Sequence, residues 1–180
     1  SQYGHTAWKI RDGFPSDFVI SFAQTADGYL WLGTASGLMR FDGVRNVPWQ
    51  PPMGSSLPDN RIRALLYARD GTLWIGTHAG LASWKQGKLT TYPRFEGIAI
   101  SSLAEDGDGT VWVNAGSEIG LLCAVRLSGV ECHGEDGRFG AWVEGLFEDS
   151  RGALWMGAPK GVWRWKPGPP VVYSPPEPIS

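Results

Sequence analysis

Apolar and polar residues alternate with a period of two along most of this chain, in short runs separated by glycine-containing turns. Such alternation is typical of half-buried β-strands. Within residues 62–92 it predicts four strands, at 62–67, 73–76, 81–84 and 88–92, with Asp70-Gly71 at the first turn. An Asp-Gly pair favours a tight hairpin because glycine adopts positive φ at little steric cost. The segment is therefore predicted to form a four-stranded antiparallel unit.

The same unit occurs four times. A tryptophan marks the second strand of every copy, and successive tryptophans are separated by 43, 38 and 43 residues. A glycine precedes each tryptophan by three residues, and a β-branched residue precedes it by twelve. Four strands in a period near 40 residues are typical of a β-propeller blade. The four tryptophans are Trp31, Trp74, Trp112 and Trp155.

A second aromatic series follows the glycine of each second turn by four residues, at Phe41, Trp84 and Trp165. We interpret both aromatic series as structural core between blades, because large flat side chains fill the wedge between twisted sheets. A sugar-stacking surface is the alternative interpretation for any one of them.

The third copy departs from this pattern. Asn114 replaces the glycine that follows the tryptophan, the second turn is two residues longer, and Ala124 stands where the other copies have an aromatic residue. Two interpretations are open. Either this blade has simply degenerated, or it has been altered to form a site.

The predicted fold class is all-β, a partial propeller of four four-stranded antiparallel units with an orphan N-terminal outer strand. The orphan strand belongs to residues 1–13, where residues 6–10 alternate without preceding strands. The blades are predicted at residues 14–50, 57–93, 94–135 and 139–174, and a proline-rich tail at 175–180.

Prolines and a glycine predict an exposed loop at residues 49–56. Trp74→Ala is accordingly predicted to be far more damaging than Trp49→Ala, because Trp74 belongs to the repeat core whereas Trp49 borders this loop.

Composition limits the function classes. With 180 residues, 42% of them hydrophobic, the chain is long enough to bury a core. A formal net charge of −2 provides no basic surface, so neither nucleic acid nor an anionic membrane is an expected partner. The sequence contains no run of eighteen apolar residues, so no membrane-inserted segment is predicted. It also contains no recognisable signal peptide, so if the protein is exported we expect its signal peptide to have been removed.

The two cysteines fall on the third and fourth predicted strands of the third copy, where Cys123 and Cys132 can face each other across a hairpin. A cross-strand disulfide would indicate an oxidising compartment. Two buried thiols are the alternative.

No catalytic or metal-binding constellation is evident. None of the three histidines has a partner at a usable metal-ligand spacing, and there is neither a nucleophile elbow nor a phosphate loop. We therefore expect no metal, no cofactor and no catalytic residue.

Polar loop residues supply the candidate binding site. In propellers, the loops that lead into first strands and those that join second to third strands gather on one face, where polar side chains suit recognition. The alternative for each such residue is a turn that hydrogen-bonds its own backbone. The predicted ligand-binding residues are Asp17, Asn60, Arg61, His78 and Glu118.

Three segments resemble the two-component regulator propeller repeat. They are Gly-Phe-Pro-Ser-Asp at 13–17, Asp-Gly-Tyr-Leu-Trp-Leu-Gly-Thr at 27–34 and Gly-Leu-Met-Arg-Phe-Asp-Gly at 37–43. The resemblance covers nearly the whole chain, to about Trp165. It implies the extracytoplasmic sensor region of a bacterial receptor, either a hybrid histidine kinase or a diguanylate cyclase, with the output domain outside this chain.

Three functions are consistent with these observations. The first hypothesis is a non-catalytic, periplasmic or otherwise extracytoplasmic sensor segment that binds an unknown small molecule or oligosaccharide. A propeller enzyme, such as a lyase or glycosidase that uses an acid together with His78, is the rival. A passive protein-interaction scaffold is the third.

Ring closure has two solutions. A small four-bladed ring would use residues 6–10 in place of residues 171–173 on the last blade, whereas an open arc would leave two faces exposed. Blades of a wide ring meet at too small an angle to close after four, and exposed aromatic faces favour association. We expect an arc that pairs with a second copy into a ring of about eight blades.

Overall fold

The computed structural model describes residues 18–116, 118–166 and 168–174. These residues form four separate four-stranded antiparallel sheets that follow one another along the chain. The first sheet consists of β1 (Val19–Gln24), β2 (Leu30–Thr34), β3 (Gly37–Phe41) and β4 (Asn46–Pro48). The second consists of β5 (Ile62–Tyr67), β6 (Leu73–Thr77), β7 (Gly80–Lys85) and β8 (Lys88–Thr91).

The third sheet contains β9 (Ile100–Glu105), β10 (Val111–Ala115), β11 (Leu121–Arg126) and β12 (Gly129–His133). The fourth contains β13 (Glu144–Glu148), β14 (Leu154–Ala158), β15 (Gly161–Lys166) and β16 (Val171–Tyr173). Helical structure in the described ranges is limited to a 3₁₀ turn at Pro93–Phe95. No described helix has the length and apolar character needed to span a membrane.

The sheets contact each other in chain order. The first strand of each sheet lies against the first strand of the next, so that β1 meets β5, β5 meets β9, and β9 meets β13. No contact of comparable extent joins β13 back to β1 among the residues described. The predicted fold, an all-β partial propeller of four four-stranded units, is confirmed. The predicted orphan strand at residues 6–10 and the tail at 175–180 lie outside the described residues.

Glycine allows neighbouring sheets to approach closely. A Cβ atom on Gly33 would lie 2.7 Å from Ile62 Cγ2, and one on Gly76 would lie 2.6 Å from Ile100 Cγ2. In the second and third sheets, the β-branched residue at the start of the first strand therefore packs directly over the glycine that lies two residues after the tryptophan of the preceding sheet. This contact explains why both positions recur at fixed offsets in the sequence.

The third copy makes the same contact with a different residue. Asn114 occupies the glycine position and is fully buried, while Val143 of the fourth sheet packs instead on Gly120, whose Cβ would lie 2.6 Å from Val143 Cγ1. The longer turn of this copy supplies Gly120. The extra residues thus compensate for the loss of the glycine at position 114.

The repeat tryptophans form the core between sheets. Trp31, Trp74 and Trp112 are buried, each in the cluster shared with the following sheet. Of the second aromatic series, Phe41 is buried, whereas Trp84 and Trp165 are partly buried and pack against these clusters. Trp155, which has no following sheet among the described residues, is only partly buried.

The sequence predicts that Trp49 belongs to the exposed loop at residues 49–56, and this prediction is wrong. Its ring lies between those of Trp31 and Trp84, with centroid separations of 5.9 and 5.3 Å. Its backbone N–H donates to the Leu38 carbonyl at 2.8 Å, so hydrogen bonding to β3 continues past the end of β4. The exposed loop begins only after Trp49, and the predicted contrast between Trp49 and Trp74 is correspondingly weaker.

Cys123 and Cys132 occupy directly opposed positions of β11 and β12. The structure joins them as a disulfide with a Cα separation of 4.0 Å. The described residues contain no free cysteine.

Candidate functional site

Strand register identifies the residue that replaces the missing aromatic side chain in the third sheet. Phe41 pairs with Leu30 and Trp84 pairs with Leu73, and the same place opposite Val111 is taken by Val125. The prediction that Ala124 holds this place is wrong. The longer turn shifts the register by one residue, because pairing resumes at Leu121 rather than at a glycine.

A third series of ring-bearing side chains follows the second at an offset of eight residues: Trp49, Tyr92, His133 and Tyr173. The ring centroid of Trp49 lies 5.3 Å from that of Trp84 in the following sheet, and the ring centroid of His133 lies 4.7 Å from that of Trp165 in the following sheet. Tyr92 has only Val125 at the corresponding place of the third sheet. The stack of rings is therefore interrupted between the second and third sheets.

A cleft of about 700 Å³ lies at this interruption. It is lined by residues from the hairpin turns of the second and third sheets and from the facing strands, including Trp74, Tyr92 and Val125. In a four-stranded meander these hairpin turns lie at the end opposite to the second-to-third-strand turns. The cleft is thus on the other end of the blades from the predicted ligand-binding loops.

The cleft exposes a hydrogen-bond donor that the other repeats satisfy internally. The indole N–H of Trp31 donates to Thr25 Oγ1 at 3.1 Å, that of Trp112 to Asp106 Oδ2 at 2.7 Å, and that of Trp155 to Asp149 Oδ2 at 2.9 Å. Each acceptor lies six residues before its tryptophan. In the second sheet this position is Ala68, which lines the cleft. The Trp74 indole N–H consequently makes no hydrogen bond within the described residues.

The floor of the cleft is aromatic. Trp74 and Tyr92 have ring centroids 5.2 Å apart, and the Tyr92 and Ser83 hydroxyls are 3.0 Å apart. Burial raises the pKa of Tyr92 above its ordinary value, which outweighs the opposite effect of the Ser83 hydrogen bond. The Tyr92 hydroxyl therefore stays protonated at neutral pH and can donate a hydrogen bond.

The rim of the cleft carries charges of both signs. Lys85 Nζ lies 2.7 Å from Asp70 Oδ2, and Glu105 and Arg126 lie on the third-sheet side. Burial alone would raise the pKa of Asp70, but hydrogen bonds from Lys85 and Thr72 outweigh it and lower the pKa below 3.8. The Asp70 carboxylate is therefore ionised at neutral pH and acts only as an acceptor.

The predicted ligand-binding residues do not converge on one site. Arg61 and His78 are adjacent, since the His78 backbone N–H donates to the Arg61 carbonyl at 3.0 Å. The Arg61 guanidinium is held by Asp59 at 2.7 Å, and its hydrogen bonds lower the pKa of Asp59 to about 2. Asn60 lines a separate hollow beside Trp49, and Glu118 is exposed on the turn of the third sheet. Asp17 lies outside the described residues.

No group of three or more His, Cys, Asp or Glu side chains in the described ranges is placed to hold a metal ion.

Several solved structures share this fold. The extracellular domain of a putative hybrid two-component system from B. thetaiotaomicron superimposes with a TM-score of 0.73 at 23% identity, over 91% of this chain and 23% of that one. A second such domain from the same organism gives 0.70 at 19% identity, over 88% and 23%. Inactive virginiamycin B lyase from Staphylococcus aureus with quinupristin gives 0.71 at 17% identity, over 89% and 56%.

These similarities define the chain as a set of β-propeller blades that spans about a quarter of the two-component domains it matches. Residues 13–36 and 56–79 match the family described as two component regulator propeller. These two matches bear out the resemblance to this family that the sequence predicted. No curated protein sequence matches it.

Proposed function

We propose that this chain is a non-catalytic, ligand-sensing segment of an extracytoplasmic receptor, and that its ligand binds in the cleft between the second and third sheets. The observation that carries the proposal is Trp74, which lines the cleft and whose indole N–H has no acceptor among the residues that the structure describes. A histidine kinase or diguanylate cyclase output domain would lie outside this chain. The extracellular two-component domains among its structural neighbours support this setting.

The chemistry of the cleft favours a polyhydroxylated ligand such as an oligosaccharide. Trp74 and Tyr92 offer an apolar surface on which the C–H face of a sugar ring can pack. The Asp70 carboxylate can accept hydrogen bonds from such a ligand. Lys85, Arg126, the Trp74 indole N–H and the Tyr92 hydroxyl can donate them. Because the rim combines both charge signs, it suits a ligand with many hydroxyl groups better than one with a single strong charge.

Filling the cleft should abolish binding. Val125→Trp restores the aromatic residue that the first two sheets carry at this position, and its indole would occupy the space beside Tyr92. In a thermal-shift screen of oligosaccharides, a compound that stabilises the native chain should bind Val125→Trp at least tenfold more weakly, so its shift at fixed concentration should be lost. Ala68→Asp, which restores the acceptor for Trp74, should weaken binding in the same direction.

His78→Ala is the matched control, because it alters the predicted loop face and leaves the cleft intact. The proposal requires that this variant keep the native thermal shift. If His78→Ala removes the shift while Val125→Trp retains it, the ligand binds at the loops. Turnover of the ligand that His78→Ala abolishes would favour a propeller enzyme instead.

A further inference from the structure

The turn that precedes the repeat tryptophan has the same backbone hydrogen bond in all four sheets. The backbone N–H of Thr25 donates to the Tyr29 carbonyl at 3.0 Å, and that of Ala68 donates to the Thr72 carbonyl at 2.8 Å. The third and fourth sheets repeat this bond at 3.0 and 2.9 Å. Side chains at equivalent positions of the four turns therefore start from the same place and can be compared directly.

In the first sheet, one hydroxyl group links the repeat tryptophan to a carboxylate. Thr25 Oγ1 accepts a hydrogen bond from the Trp31 indole N–H at 3.1 Å and donates one to Asp27 Oδ1. The Asp27 carboxylate is held by the Tyr29 backbone N–H at 3.4 Å and by the Arg40 guanidinium at 2.9 Å. A hydroxyl group suits this place because it both accepts and donates hydrogen bonds.

The second sheet repeats this arrangement without the linking hydroxyl group. Asp70 Oδ1 accepts from the Thr72 backbone N–H at 2.9 Å, and Asp70 Oδ2 accepts from Lys85 Nζ at 2.7 Å. The carboxylate is thus held as its counterpart in the first sheet is. The place of the threonine is taken by Ala68, whose side chain has no polar atom. The Trp74 indole N–H and the Asp70 carboxylate therefore both border the cleft, and no side chain of the described residues links them.

The third and fourth sheets show what a carboxylate requires at the same place. There Asp106 and Asp149 accept the indole N–H of the repeat tryptophan at 2.7 and 2.9 Å. Neither turn brings a second carboxylate beside the first. Two residues further on, Asp108 is exposed and its carboxylate makes no hydrogen bond within the described ranges, and the fourth sheet has Arg151. In the second sheet Asp70 is turned inward, so a ligand carboxylate would be repelled by it.

We infer, on the basis of the proposed function, that the ligand places a free hydroxyl group between the Trp74 indole N–H and the Asp70 carboxylate, where the first sheet has the hydroxyl group of Thr25. This hydroxyl group accepts a hydrogen bond from Trp74 and donates one to Asp70. A carboxylate or an ether oxygen at this place has no proton to donate. The cleft therefore selects neutral sugars over uronic acids and over O-alkylated sugars.

Two variants of equal shape test the hydroxyl site without any ligand. Ala68→Thr supplies the hydroxyl group from within the chain, and Ala68→Val supplies the same bulk without it. Exchange of the Trp74 indole proton with deuterium should be roughly fivefold or more slower in Ala68→Thr than in Ala68→Val, because only threonine gives the indole an acceptor. Ala68→Ser, which adds less bulk, should slow this exchange relative to the native chain. Equal exchange rates in the threonine and valine variants would overturn the inference, whatever the ligand is.

The selectivity of the cleft is tested with neutral trisaccharides of glucose, mannose and galactose. Each is compared by isothermal titration calorimetry with its uronate and its fully O-methylated counterpart. A neutral trisaccharide that binds should lose affinity by about tenfold or more in either modified form, and equally in Asp70→Ala. Asp27→Ala is the matched control, because Asp27 is similarly exposed and also paired with a cation, but is already bonded to the Thr25 hydroxyl group. It should leave the affinity unchanged.

Val125→Trp, which fills the cleft, distinguishes the two ways in which this test can fail. Binding that Val125→Trp removes, but that is equally strong for the uronate or the O-methylated form, would overturn the inference and leave the proposed function intact. Binding that survives Val125→Trp would overturn both. Binding of none of the neutral trisaccharides at millimolar concentration would also count against both.

Discussion

Asp106→Ala should lower the free energy of unfolding by about 3 kcal/mol, the lower end of the range for breaking a buried ion pair. Asp106 is 2% exposed and accepts hydrogen bonds from the Trp112 indole N–H at 2.7 Å and from Lys166 Nζ at 2.7 Å. Lys166 belongs to the fourth sheet, and its side chain is one quarter exposed. Because water can partly solvate the ammonium group, we expect the loss of stability to lie at the lower end of this range. Equilibrium unfolding in urea measures the difference.

Asp108→Ala is the control for this substitution. Asp108 lies in the same hairpin turn but is exposed, so its replacement should change stability by about 0.5 kcal/mol or less. If the two variants unfold at the same urea concentration, Asp106 does not link the third and fourth sheets.

The destabilisation by Asp106→Ala should depend on pH. Burial alone would raise the pKa of Asp106, but hydrogen bonds from Lys166, Trp112 and Thr110 outweigh it and lower the pKa below 3.8. A carboxyl group whose folded pKa is lowered stabilises the fold above its unfolded pKa and loses this effect as the pH falls through the folded pKa. The gap between native and variant stability should therefore be full at neutral pH and narrow below pH 3.8.

Trp74→Ala should cost roughly 3–5 kcal/mol, the usual range for truncating a large buried aromatic side chain. Trp74 contributes to the cluster that joins the second and third sheets. The variant should therefore show a lower urea midpoint and also lose the apolar floor of the cleft. Chemical denaturation followed by circular dichroism provides the measurement, because it does not depend on tryptophan fluorescence.

The control for Trp74→Ala is Trp142→Ala. Trp142 is 56% exposed and lies on the connection between the third and fourth sheets, so its truncation leaves no internal cavity. Equal losses of stability in the two variants would contradict the assignment of Trp74 to the core between blades.

Most of the fold could be predicted from the sequence because its determinants are local and repeated. The alternation of Leu73, Trp74 and Ile75, together with the turn glycine Gly71, defines a hairpin without reference to distant residues. The offset of twelve residues between Ile62 and Trp74 is also visible in the sequence. Its cause, the packing of Ile62 over Gly33, becomes evident only when neighbouring sheets are brought together.

The cleft could not be located from the sequence, because it depends on register and on contacts between sheets. Counting residues from Gly120 selects Ala124, whereas strand pairing selects Val125. Proline composition around Trp49 predicts a loop, but its ring packs between two sheets. The sequence does carry one signal for the cleft at Ala68, because the residue six positions before the tryptophan is a polar acceptor in every copy except this one.

Binding of a ligand in the cleft should engage the indole N–H of Trp74. The most direct measurement is a titration of the ¹⁵N-labelled chain with the oligosaccharides of the screen, followed through the indole N–H resonances of its ten tryptophans. We expect a saturable shift of the Trp74 resonance, while the resonances of Trp31 and Trp112 stay unchanged because their indole N–H groups already donate hydrogen bonds. A Trp74 resonance that stays fixed at millimolar oligosaccharide, or a shift confined to the amides of Arg61 and His78, would contradict it.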